Sequence, residues 1–121
     1  MATKKTLVIG ASENPARYSN LAVKKLTAHN HPVIALGNKA GTIGNHIIET
    51  EKKAFTDIDT VTLYLNPLRQ QAYYDYILSL NPKRIIFNPG AENEELEALA
   101  KQQGIVTQEA CTLVLLSTGQ Y

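Results

Sequence analysis

Ser12, Asn14 and Arg17 fall within one short stretch, VIGASENPARYSN (Val8–Asn20). It leaves an apolar run at Gly10 and passes through Ala11, Ser12 and Pro15 into a helical pattern. Short hydrogen-bonding side chains before a helix start, with the planar donor fork of Arg17 behind them, suit an oxyanion such as a phosphate. Only Glu13 opposes an anion there. A second cation, Lys39, follows the next apolar run in LGNKAG (Leu36–Gly41), beside Asn38. Taken singly, Arg17 is also a surface arginine at a helix start, Ser12 a turn former and Lys39 a solvated loop lysine. It is their combination that points to a phosphorylated ligand.

The elements that must position these residues are legible as alternating apolar runs and helical patterns. Strands are predicted at 6–10, 33–37, 60–65, 84–88 and 105–108; the first run lacks polar alternation, as expected of a strand covered on both faces, and the third is β-branched. Tyr18, Leu21, Ala22 and Leu26 recur at helical spacing up to Pro32. Pro67 can open a helix with an apolar stripe of Leu68, Ala72, Tyr73, Tyr76, Ile77 and Leu80. Asn93 is a plausible N-cap before Glu94 and Glu95, and Gly104 a helix stop. Residues 111–117 read as a short helix, with a strand as the alternative. Lys39 to Asp57 has a poor helical pattern and reads as an irregular or short extended connection.

This alternation predicts an α/β fold: one three-layer domain over residues 1–121, with a Rossmann-like, doubly wound, parallel five-stranded sheet. The expected strand order is 3-2-1-4-5, which puts the ligand crevice between the first and fourth strands, beyond their carboxyl ends. Three predicted helix starts face that rim. The one after Asn93 carries Glu92, Glu94 and Glu95 and repels anions; the one after Pro67 carries Leu68 and Arg69 and is mildly favourable; the one after Pro15 is the best anion site.

The bulk composition narrows the classes. The chain has 121 residues, 44% hydrophobic and 19% charged, with a formal net charge of +1. That is a globular composition with no electrostatic case for nucleic acid or an anionic membrane. A single cysteine excludes an internal disulfide and a cysteine-based zinc cluster. No apolar segment is long enough to span a bilayer or to serve as a signal peptide, so a cytoplasmic protein is expected.

The end of the second predicted strand discriminates among phosphorylated ligands. A nicotinamide-adenine site places an acid there for the ribose 2′-hydroxyl, whereas Lys39 suits a phosphorylated ribose. NADP and coenzyme A both carry one. The first turn lacks the spaced glycines of the dinucleotide fingerprint, which weakens NADP.

VIGASENPARYSN, IALGNKAG, YLNP, IIFNPGAEN and EACTLVLL together resemble the small stand-alone CoA-binding domain family, itself similar to the CoA-binding domain of the succinyl-CoA synthetase alpha subunit. The resemblance runs from about Lys5 to Ser117, and the stretch from Gly10 to Ser19 is its most specific motif. It implies a Rossmann-like domain binding coenzyme A or an acyl-CoA. By matching motif, Gly10, Ala11, Ser12, Arg17, Tyr18 and Ser19 would lie along the phosphates, and Asn38 and Lys39 near the adenosine 3′-phosphate. Leu65, Asn66 and Pro67 would face the adenine or pantetheine side, and Asn88, Pro89, Gly90 and Glu92 would line the crevice near the pantetheine. The family often has Asn-Pro after the second strand, where this chain has Gly37-Asn38.

Cys111 stands where the family commonly has a cysteine; it reads either as a small buried hydrophobe or as a thiol able to form a mixed disulfide with the CoA thiol. His29, His31 and His46 match no phosphohistidine context and read as surface residues. No nucleophile–base pair, metal-ligand cluster or paired carboxylate is evident, so the expected role is non-catalytic binding of CoA or a short acyl-CoA, as a metabolite sensor or carrier. The alternatives are an NADP-dependent reductase and an interaction module. The last would use Tyr73, Tyr74 and Tyr76 as a homodimer face, because the sheet cannot bury all three.

Overall fold

The computed structural model describes residues 3–121. Its strands are β1 (Thr6–Ile9), β2 (Val33–Leu36), β3 (Thr42–Ile43), β4 (His46–Glu49), β5 (Thr60–Leu63), β6 (Arg84–Phe87) and β7 (Val106–Glu109). Its α-helices are α1 (Tyr18–Ala28), α2 (Pro67–Gln70), α3 (Tyr74–Leu80), α4 (Glu94–Gln102) and α5 (Thr112–Ser117), with a 3-10 turn at Gln71–Tyr73 between α2 and α3.

β1, β5 and three of the four residues of β6 are wholly buried, as their unbroken apolar and β-branched runs demand. Side chains alternate across the sheet. Leu7, Ile9, Val61, Leu63, Ile85 and Phe87 pack with Ile77, Leu96 and Ala100 of α3 and α4. Val8 and Ala35 pack on the other face with Val23 and Leu26 of α1 and Leu116 of α5. Two helical layers therefore sandwich one sheet.

That sheet has seven strands, not five, in the order β3-β4-β2-β1-β5-β6-β7. β4 runs parallel to β2 (Ala35 opposite Ile48), and β3 turns back antiparallel against β4. The strand after the second crossover, β5, pairs with β1 and not with β2 (Thr6 opposite Thr60, Ile9 opposite Leu63). The expected order 3-2-1-4-5 is thus corrected, for a local reason. β-branched residues flank the two-residue turn Gly44-Asn45, where Gly44 takes φ +58°, and the resulting hairpin occupies the outer edge of β2. With that edge filled, the chain returns to the free edge of β1. The strand order reverses between β1 and β5, so the crevice lies there and not between β1 and β6.

Helix faces differ from their sequence stripes as well. α1 buries Ser19, Asn20, Ala22, Val23 and Leu26, while Tyr18 and Leu21 are exposed. Leu68 is exposed, and Gln70 is the buried residue of α2. The 3-10 turn shifts the phase between α2 and α3. Tyr73, Tyr74 and Tyr76 are each half-buried against this chain's own core. Residues 112–117 are helical, the first of the two readings open for them.

Candidate functional site

The β1–α1 loop is built by close backbone approach and by local side-chain bonds. Gly10 has φ +95°, a left-handed conformation that favours glycine. A Cβ on Gly37 would lie 2.5 Å from the Ala11 carbonyl oxygen, so only glycine lets the end of β2 press against this loop. Ala11 N–H donates to Leu36 O at 3.0 Å across the same seam. Ser12 Oγ accepts from Asn14 N–H at 3.1 Å, and Asn14 Oδ1 accepts from Ala16 N–H at 3.0 Å. The buried Asn20 side chain donates to Ser12 O at 2.9 Å and ties the loop to α1.

α1 begins at Tyr18, with Arg17 at its N-cap position. Arg17 makes no side-chain capping bond, and the first turn holds no acid. Arg17 and Asn20 N–H are taken by Asn14 O and Arg17 O, which leaves the Tyr18 and Ser19 N–H groups open to an anion. Glu13, the one acid expected to oppose an anion, has its carboxylate on Thr42 N–H at 3.0 Å, held to the hairpin.

The opposite wall comes from the ends of β5 and β6. Asn66 caps α2 by accepting from Arg69 N–H at 2.9 Å. Gln70, fully buried, donates to Leu65 O and to Ala91 O at 2.7 Å each and accepts from Asn93 at 2.9 Å. That one side chain sets the separation of two wall segments. Glu92 turns back to accept from Gly90 N–H at 2.9 Å. Behind Asn93, Glu94, Glu95 and Glu97 occupy the first turn of α4, which makes that helix start repel anions, as its sequence implied.

Together these segments enclose a cavity of about 460 Å³ at the carboxyl ends of the strands. Of the residues singled out from the sequence, Gly10, Ala11, Ser12, Arg17, Tyr18, Ser19, Asn38, Lys39, Leu65, Asn66, Pro89 and Gly90 line it. Pro67, Asn88, Glu92 and Cys111 stand outside its wall. Asn88 is buried and bridges β5 to α5. Cys111 is half-buried at the N-cap position of α5.

Five wall residues were not assigned to the site from sequence: Gly37, Tyr64, Arg69, Tyr73 and Ala91. Arg69 had a readable signal, a cation just inside a helix opened by proline on a rim loop. Tyr73 had none, because its direction depends on the 3-10 turn. Burial holds the Tyr64 phenol well above its ordinary pKa, so it remains an O–H donor. The wall carries three cations, Arg17, Lys39 and Arg69, and no carboxylate. Such a surface favours an anionic ligand with more than one charged group.

Solved structures share this architecture. A crystal structure of an uncharacterized protein is 48% identical over 100% of both chains, with a TM-score of 0.98. A hypothetical protein from Pyrococcus horikoshii OT3 is 22% identical, with 96% of this chain and 83% of that one covered and a TM-score of 0.86. A Thermus thermophilus structure is 17% identical, with coverage of 98% and 91% and a TM-score of 0.81. The last two show the fold alone. No curated protein matches the chain. The family model described as CoA binding domain matches residues 4–117, and the chain belongs to that family.

Proposed function

We propose that the cavity binds coenzyme A or a short acyl-CoA and does no chemistry on it, the protein serving as a sensor or carrier of that ligand. The observation that carries this reading is the cavity wall, with three cations, an uncapped helix start and no carboxylate. Coenzyme A brings a diphosphate and a ribose phosphate, and the residues present fit both. Arg17, the Gly10–Ser12 backbone and the first turn of α1 would hold the diphosphate. Lys39 and Asn38, at the end of β2, would hold the ribose phosphate. The cavity volume of about 460 Å³ lies within the usual size of small-molecule sites, roughly 300–1,000 Å³. No histidine or carboxylate lines the wall to activate Ser12 or Ser19 as a nucleophile, which supports binding over turnover.

Calorimetric titration with CoA and, separately, NADPH tests the reading. CoA is expected to bind, and the double replacement Arg17→Ala, Lys39→Ala to weaken it by roughly 10- to 100-fold, two charge-assisted contacts being lost. Binding of NADPH with no heat from CoA would favour the dinucleotide instead.

A further inference from the structure

We propose that the preferred ligand of this cavity is a CoA thioester whose acyl group ends in a carboxylate, and that Arg69 is the residue that selects it. The inference rests on the CoA reading above. It starts from the layout of the cations. Lys39 follows β2, Arg17 follows β1 and Arg69 follows β5, three neighbouring strands in the sheet. With strands about 4.8 Å apart, the ends of β2 and β5 are separated by roughly 10 Å. The cations are spread along the crevice, not gathered at one point.

The charges of coenzyme A are distributed differently. All its phosphates lie in the nucleotide half, and the pantetheine arm carries only neutral amides and a hydroxyl. If Lys39 and Arg17 take the ribose phosphate and the diphosphate, the arm runs on toward β5 and β6. A neutral arm and a neutral acyl group give Arg69 no partner there. A terminal carboxylate does, and it matches the guanidinium fork.

The surroundings of Arg69 point the same way. Among the described residues the ion pairs are Lys53–Glu49 and Lys101–Glu97, and neither involves Arg69. Its backbone is anchored by the Asn66 cap. Tyr73 lines the same wall as Arg69 and presents no charge of its own to it.

The test is calorimetry with CoA, valeryl-CoA and glutaryl-CoA on the wild-type chain, Arg69→Ala and Arg69→Lys. The two thioesters have acyl chains of equal carbon number and differ in the terminal carboxylate. The wild type is expected to bind glutaryl-CoA about three- to tenfold more tightly than valeryl-CoA, the range for an accessible charge-assisted contact. Arg69→Ala should abolish that difference by weakening glutaryl-CoA more than valeryl-CoA or CoA, and Arg69→Lys should restore part of it. Equal affinity of the wild type for both thioesters overturns the proposal while the CoA reading stands. So does an Arg69→Ala variant that loses CoA itself as strongly as glutaryl-CoA, because Arg69 would then be gripping phosphate. Failure of all three ligands to bind removes both readings together.

Discussion

The Asn88 carboxamide donates to Thr62 Oγ1 at 2.6 Å, joining the end of β6 to the neighbouring strand β5 inside the core. The same side chain donates to Leu63 O at 2.9 Å and accepts from Thr112 N–H, at the start of α5, also at 2.9 Å. Thr62 Oγ1 in turn lies 2.8 Å from Thr112 Oγ1. One buried residue thus satisfies polar groups of two strands and a helix. Asn88→Ala leaves several of them unpaired and is expected to lower unfolding free energy by about 2–4 kcal/mol, measured by urea denaturation. An unchanged midpoint would mean that water replaces the carboxamide.

Gln70 is the corresponding link on the cavity side, bridging Leu65 O and Ala91 O. Gln70→Leu keeps the volume and removes both donors. Destabilisation of about 2–3 kcal/mol is expected, together with weaker CoA binding, because the two wall segments lose their common tie. Thermal melts with and without ligand read the two effects separately.

Gly37→Ala tests the seam between β2 and the β1–α1 loop. The added methyl would sit 2.5 Å from Ala11 O, and both sides of the contact are backbone or buried strand. The loop must move, at a cost of about 1–3 kcal/mol. Ligand affinity should fall with it, since Ala11 and Ser12 line the cavity. Retention of wild-type affinity in a folded variant would show that this loop does not contact the ligand.

His31 sets a pH dependence at the opposite end of the sheet. Its Nδ1 accepts from Lys4 N–H at 3.0 Å, which requires the neutral ring. Its ring lies 4.9 Å from that of Tyr121, which in turn carries the Arg84 guanidinium 4.4 Å from its centroid. Partial burial, then His29, Lys4 and Arg84, lower its pKa, while Asp59 opposes them. A lowered folded-state pKa means that the unfolded chain takes up the proton first. Stability is therefore full above the ordinary histidine value of about 6.5 and declines as pH falls below it. The melting temperature should drop between about pH 7 and pH 5, and the drop should be smaller in His31→Gln, which keeps an acceptor and does not titrate. Equal slopes in the two proteins would remove His31 as the cause.

Much of this was legible in the residues, because local chemistry dictates it. Near-continuous apolar runs marked β1, β2 and β6, and β-branched residues marked β5, since a strand covered on both faces need show no polar alternation. Asn93 read as a helix-start residue for the same reason that it caps, a short side chain that accepts from the first turn. The first-loop motif and Lys39 located most of one cavity wall. The helix faces were less legible. Tyr18 and Leu21 matched the spacing of a core stripe, yet α1 turns Ser19 and Asn20 inward, where Asn20 is needed to hold the loop.

What the sequence alone determined is the alternation of strand and helix and the two cations nearest the first turn, all properties of short segments. The order of the strands was decided by competition for an edge, which no single segment encodes: the hairpin from Thr42 to Glu49 fills the side of β2 and sends β5 to β1. That choice moved the crevice to the β1–β5 boundary. It also brought Tyr64, Arg69 and Tyr73 onto the same wall as Arg17 and Lys39, residues far apart along the chain and joined only by the packing of the sheet.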